Sequence, residues 1–169
     1  MRKCDRPALV VRKKPLGPYR RVLVAVDFST HGQRALECAM RLAPEAELHV
    51  LHVYELWYEA RLRAAGATDR DIAELHREAA GDGLDELDKF LAACQVDGAK
   101  IQRHVSSGYP GPTIAAEAAR LGADLVAVGT HGRSGLLYVL LGSVAVHVLR
   151  EAECDVLVTR PAQVQFGVP

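Results

Sequence analysis

A chain of 169 residues is long enough for one domain with a full core and short for two. With 49% apolar and 25% charged residues it has the composition of an ordinary globular domain, which excludes a disordered or collagen-like chain. The formal charge sums to zero, yet eight of the 21 basic residues fall within the first 21 positions against Asp5 alone, so the remainder is acidic.

The basic arm, residues 1–20, reads as a solvated extension. It has no interleaved aromatics to stack on bases apart from Tyr19, so nucleic acid is not an expected partner. Met1 to Lys14 holds no apolar h-region and no small-residue cleavage site, and no run in the chain approaches the roughly 18 apolar residues that span a bilayer. A cytoplasmic protein without a membrane partner is the expectation. Cys4, Cys38, Cys94 and Cys154 are scattered with no C-x-x-C pair, and free, structurally inert thiols are expected.

After the arm, short apolar runs alternate with helical patterns. Arg21–Asp27 is too continuously apolar to be half-exposed and predicts a buried parallel strand. Thr30 and Gln33 have capping-box spacing, and the helix that follows places Ala35, Leu36, Ala39, Met40 and Ala43 on one face before Pro44 stops it. Glu47–Val53 predicts a second strand, whereas 54–67 has little pattern. Thr68 and Asp71 open a long helix carrying Ile72, Leu75, Leu87 and Leu91, weakened by Gly81 and Gly83. Ala99–Val105 is a weaker strand, and Pro112 opens a helix that ends at Gly122. Asp124–Gly129 and Asp155–Thr159 are the last strands.

Ser143–Arg150 is rich in valine and has local preference for a strand. Two parallel strands, however, need a crossover of about a dozen residues that is usually helical, so a helix is predicted. The β-α-β-α-β-α-β-α-β order implies an α/β fold, a five-stranded Rossmann-like parallel sheet with helices on both faces. His49 and His52 invite a metal reading, but residues three apart on a strand face opposite sides, and no protein-held metal is expected.

Ligands of such sheets bind beyond the carboxyl ends of the strands, where strand order reverses. Two polar clusters occupy these ends, Asp27-Phe-Ser-Thr30 and Gly129-Thr-His-Gly132-Arg-Ser-Gly135. Glycines there let backbone amides face an anion, and the helix opening at Gly142-Ser143 offers free N–H groups and a positive dipole end. Gly129-x-x-Gly132, nine residues, then Gly142-Ser143 resembles the ATP-binding signature of universal stress proteins. Val24–Ser29, Leu51–Val53, Gly108–Pro110 and Asp124–Gly132 are further matches, and the resemblance runs from about Arg21 to Arg160.

That resemblance implies strand order 3-2-1-4-5 and a domain over residues 21–161, with 162–169 as a tail. It implies ATP or another adenine nucleotide as ligand, with Asp27 on the ribose and the Val53 backbone on adenine. Gly129, Gly132, Gly142 and Ser143 would hold ribose and phosphates, with His131, Arg133 and Val144 close by. Magnesium would come with ATP, near Asp27. A homodimer through Asp155 to Arg160 is also implied, although Asp155 stands where many relatives have proline.

Chemistry is less well supported than binding. The chain has no G-x-x-x-x-G-K-[S/T] loop and no G-x-S-x-G elbow. In-line attack on a phosphate normally needs a positioned base and well-held magnesium, and only Asp27 suggests itself. A nucleotide-dependent regulator of the stress response is therefore the expected function. A slow ATP hydrolase and a non-catalytic dimeric scaffold with a vestigial site are the alternatives.

Overall fold

The computed structural model describes residues 7–14, 17–96, 101–130 and 141–160. Along the chain lie β1 (Ala8–Val10), β2 (Arg21–Val26), α1 (Thr30–Leu42), β3 (Glu47–Tyr54), α2 (Glu59–Ala64), α3 (Asp69–Ala93) and β4 (Ile101–Ser107). They are followed by α4 (Pro110–Leu121), β5 (Leu125–Gly129), α5 (Ser143–Glu151) and β6 (Asp155–Thr159). The sheet order is β1-β6-β5-β2-β3-β4. Strands β2 to β6 are mutually parallel in the order the resemblance implies, and β1 is an additional antiparallel strand.

Each central strand is apolar on both faces because helices cover both. Val22, Val24 and Val26 pack with Ala35, Leu36 and Ala39 of α1 and Leu87 of α3. Leu23, Leu51, Val126 and Val128 pack on the other side with Ile114 and Ala118 of α4 and Ala145 and Val148 of α5. Ser143–Glu151 is a helix despite its valines, since β5 and β6 are parallel neighbours and need the crossover.

Several boundaries differ from expectation. The N-cap of α1 is Ser29 rather than Thr30: Ser29 has extended backbone and its side chain accepts from the Gly32 amide. Either neighbouring hydroxyl suits a cap by type, and the turn after β2 selects the first. Helix α4 begins at Pro110, two residues before the expected opening, and Pro112 is tolerated in its first turn because those amides lack intrahelical acceptors. Gly122 ends it with left-handed backbone, φ 61°. Strand β4 is described from Ile101, and Ala99, where the expected strand begins, lies outside the described residues.

Helix α2 lies in the pattern-poor 54–67 stretch, where no element is expected. It buries no residue and is held by charge instead. Arg63 Nε donates to Glu59 at 2.9 Å, and Glu59 faces His76 Nε2 at 3.1 Å. Gly83 in α3 has a packing role, because a Cβ there would lie 3.0 Å from Val105 of β4.

The arm is the main correction. Instead of being wholly solvated, it adds Ala8–Val10 to the outer edge of β6 and sends Tyr19 against the core. The physical reason is the edge itself: Val156, Leu157 and Val158 would otherwise present an apolar, unpaired strand. The family resemblance implies this same edge for a dimer, and here β1 occupies it.

Candidate nucleotide-binding site

Strands β2 and β5 lie side by side, and their carboxyl ends bring the Asp27–Thr30 cluster and the start of α1 beside Gly129, the described start of the second cluster. Asp27 follows the end of β2. Its Oδ1 accepts from the Ser29 amide at 3.2 Å and from Ser29 Oγ at 2.6 Å. Ser29 Oγ in turn accepts from Gly32 N at 3.3 Å, so Asp27 and the first turn of α1 are fixed as a unit. Between them Phe28 takes φ 63°, a conformation uncommon for a bulky residue. Its ring is held against His52 at 4.3 Å and Phe90 at 5.8 Å between centroids. Val53 is the half-buried residue next after the Val26–His52 pair, so Asp27 and Val53 both stand at the ends of adjacent strands.

The glycines at this crevice have steric roles. A Cβ on Gly129 would meet His31 Cβ at 2.8 Å and the His31 carbonyl carbon and oxygen at 3.2 Å. A Cβ on Gly32 would meet Asp27 Oδ1 at 3.2 Å. The end of β5 thus rests directly on the first turn of α1, and the floor of the crevice is backbone. Sequence reasoning misses His31 and Gly32. The available signal is a glycine in the first turn of a helix that needs no left-handed residue there.

Thr130 connects the second cluster to the rest. It is buried, its amide donates to Thr159 O at 2.8 Å, and its carbonyl accepts from Gly142 N at 2.7 Å. The start of α5 is thereby tied above the ends of β5 and β6. Gly142, not Ser143, is the N-cap, with φ −62° and ψ 155° and no side-chain capping bond. Its amide is engaged by Thr130 and so is not available to an anion, which narrows its expected role. Ser143 is the first helical residue and is exposed, and Val144 is half-buried. Because Val146 N is the first amide to reach an intrahelical carbonyl, that of Gly142 at 3.0 Å, the amides of residues 143–145 have none within the helix. His131, Gly132 and Arg133 lie outside the described residues.

This arrangement suits a ligand with a polar, hydroxyl-bearing part near Asp27 and an anionic part near the α5 terminus. A backbone floor with no room for a Cβ at Gly129 and amides without intrahelical acceptors are features that an anionic ligand can use. Among the described residues no three His, Cys, Asp or Glu side chains are grouped so as to hold a metal ion. His49 and His52 do lie on opposite faces: His49 Nδ1 is 2.9 Å from His104 Nε2, and His52 Nδ1 is 3.1 Å from the Val26 carbonyl. Burial first, and then His49 beside it, push the His104 pKa down. Cys38, Cys94 and Cys154 are free thiols, and no described helix is long and apolar enough to cross a membrane.

Comparison with known proteins bears on the family and the fold. Residues 18–160 match the model of the universal stress protein family. A universal stress protein of Methanocaldococcus jannaschii is 33% identical over 144 residues, covering 84% of this chain and 82% of the relative. The solved structure of the universal stress protein UspA from Lactobacillus plantarum superposes with a TM-score of 0.68 at 26% identity, covering 85% of this chain and 99% of that one. A universal stress protein solved in complex with cAMP superposes with a TM-score of 0.53 at 25% identity, covering 85% and 98%. The chain belongs to the universal stress protein family.

Proposed function

We propose that this chain binds ATP or another adenine nucleotide across the β2–β5 crevice and acts as a nucleotide-dependent regulator in the stress response. The observation that carries the reading is the α5 terminus: amides 143–145 without intrahelical acceptors, tied by Thr130 over a floor that admits no Cβ at Gly129. A structural neighbour solved with cAMP supports an adenine nucleotide as the class of ligand. Asp27 accepts a ribose hydroxyl, the Val53 backbone meets adenine, and Ser143 with Val144 receives phosphate. Gly132, His131 and Arg133 complete the site by the spacing of the motif. Magnesium arrives with the triphosphate, near Asp27. The working form is a cytoplasmic dimer joined along β6, with 21–161 as the nucleotide-binding unit.

Ser143→Pro tests the anion site with little effect on the fold. Proline is favoured at the first helical position, and Gly142 already has the extended ψ that a residue before proline requires. The substitution removes one amide donor and the hydroxyl together. Loss of a hydrogen bond to a charged group is worth about 1.5–3 kcal/mol, so affinity for ATP should fall roughly 10- to 150-fold by calorimetric titration, with the melting temperature nearly unchanged. Unaltered affinity for ATP would remove the α5 terminus from the site.

A further inference from the structure

We propose that β1 is a detachable cover of the β6 edge that imitates β6 itself, and that the partner it excludes is β6 of a second copy of this chain. The proposal rests on the subunit contact proposed above. In register, Ala8 lies opposite Val158, Leu9 opposite Leu157 and Val10 opposite Val156. A second copy of β6 related by a two-fold axis at Leu157 would put Val156 opposite Val158, Leu157 opposite Leu157, and Val158 opposite Val156. Ala8-Leu9-Val10 therefore gives β6 the antiparallel ladder that Val-Leu-Val of another copy would give, with one valine reduced to alanine. A two-fold contact must be self-complementary, and this strand is.

The cover is built lightly. It spans three residues, whereas all five residues of β6 are buried, so two β6 strands have the longer ladder to offer. Leu9 and Val11 remain 40% and 53% exposed and add little apolar burial. Next to the ladder, residues 12–19 are held mainly at one carboxylate. Asp155, itself 6% exposed, accepts from Arg12 N at 2.8 Å, Lys13 N at 3.4 Å and Tyr19 Oη at 2.7 Å. The Arg12 guanidinium also donates to the Leu149 carbonyl. Residues 8–10 fall outside the 18–160 segment that the family model matches.

Closure must be relieved on both copies before they pair. If the arm is docked in about nine chains of ten, the open fraction is about 0.1 for each copy, and dimerisation is weakened about 100-fold. The test compares the full chain with its Leu9→Pro/Val10→Pro variant, which removes ladder amides from the arm and leaves the parallel sheet intact. Sedimentation equilibrium should show the variant dimerising about 100-fold more tightly than the full chain. An added peptide of residues 7–14 should return the variant to monomer, which a merely destabilised fold would not do. Hydrogen exchange separates the two ways of failing. A variant that stays monomeric while the Val156–Val158 amides lose protection overturns β6 as the subunit contact, and the proposal with it. Unchanged association together with unchanged protection of those amides overturns β1 as their cover.

Discussion

Gly129→Ala adds one methyl group where the end of β5 rests on the first turn of α1. The new carbon would lie 2.8 Å from His31 Cβ and 3.2 Å from His31 C and O. Carbon atoms settle at about 3.5–4.0 Å, so the strand and helix must part by about 0.7 Å or more. The carbonyl group cannot rotate out of the way as a flexible side chain would. Overpacking of this kind costs about 1–3 kcal/mol. In a domain of this size each kcal/mol lowers the melting point by about 2–4 °C, which gives a loss of roughly 2–12 °C by calorimetry or circular dichroism. Gly81→Ala makes the same chemical change inside α3, where nothing lies within 4 Å. It should stabilise by about 0.5–1 kcal/mol, because glycine is costly in a helix interior. A Gly129→Ala variant as stable as the parent protein would refute the close approach on which the backbone floor depends.

Three other substitutions probe separate contacts. Ser29→Ala should cost about 1 kcal/mol in urea unfolding, whereas Thr30→Ala should cost a few tenths at most, since Ser29 is the cap; equal effects would contradict that assignment. Gly111→Ala would set a Cβ 2.8 Å from His147 Cβ and Cγ, destabilising the α4–α5 contact by about 1–3 kcal/mol. His147→Gly, which removes both contacted atoms, should show a coupling that offsets that loss in a double-mutant cycle, and a purely additive cycle would refute the contact. Asp155→Asn tests the arm anchor through pH. Burial alone would raise the Asp155 pKa, but the Arg12 amide, the Tyr19 hydroxyl and the Lys13 amide outweigh it and the net shift is downward. A depressed carboxylate contributes its stability above its ordinary range and loses it as pH falls through the folded value. Protection of the Ala8–Val10 amides of the arm should therefore decline in the parent protein as pH falls below the ordinary carboxylate range. In Asp155→Asn it should already be low at neutral pH and vary less, and identical profiles would contradict the anchor.

Elements whose signal is local and apolar are legible in the sequence. Val156-Leu157-Val158 reads as a strand because both faces are covered, and the helix over Ser143–Glu151 follows from the need for a crossover rather than from its valines. The places of Asp27 and Gly129 at the carboxyl ends of neighbouring strands are legible because the apolar runs of those strands stop there. Helix α2 is not legible, since it buries nothing and its Glu59–Arg63 pairing is a weak signal. Strand β1 is hidden for a different reason. Three apolar residues in a basic arm become a strand only through a partner more than 140 positions away. In sequence Asp155 is no more than a departure from proline, and its three arm donors supply the reason for a carboxylate there. The contact of Gly129 with His31 is likewise invisible, because it arises from the docking of α1 on the sheet.

Titration of the full chain with ATP, AMP and cAMP, followed by thermal unfolding in the presence of each, tests the nucleotide reading most directly. Micromolar affinity corresponds to about −8 kcal/mol. Ligand at about 100 times its Kd should then stabilise the native state by about 2.7 kcal/mol, a rise of roughly 5–11 °C. A rise of that size with at least one adenine nucleotide, reduced in Ser143→Pro, is the predicted result. No heat of binding and no shift with any of the three would contradict it.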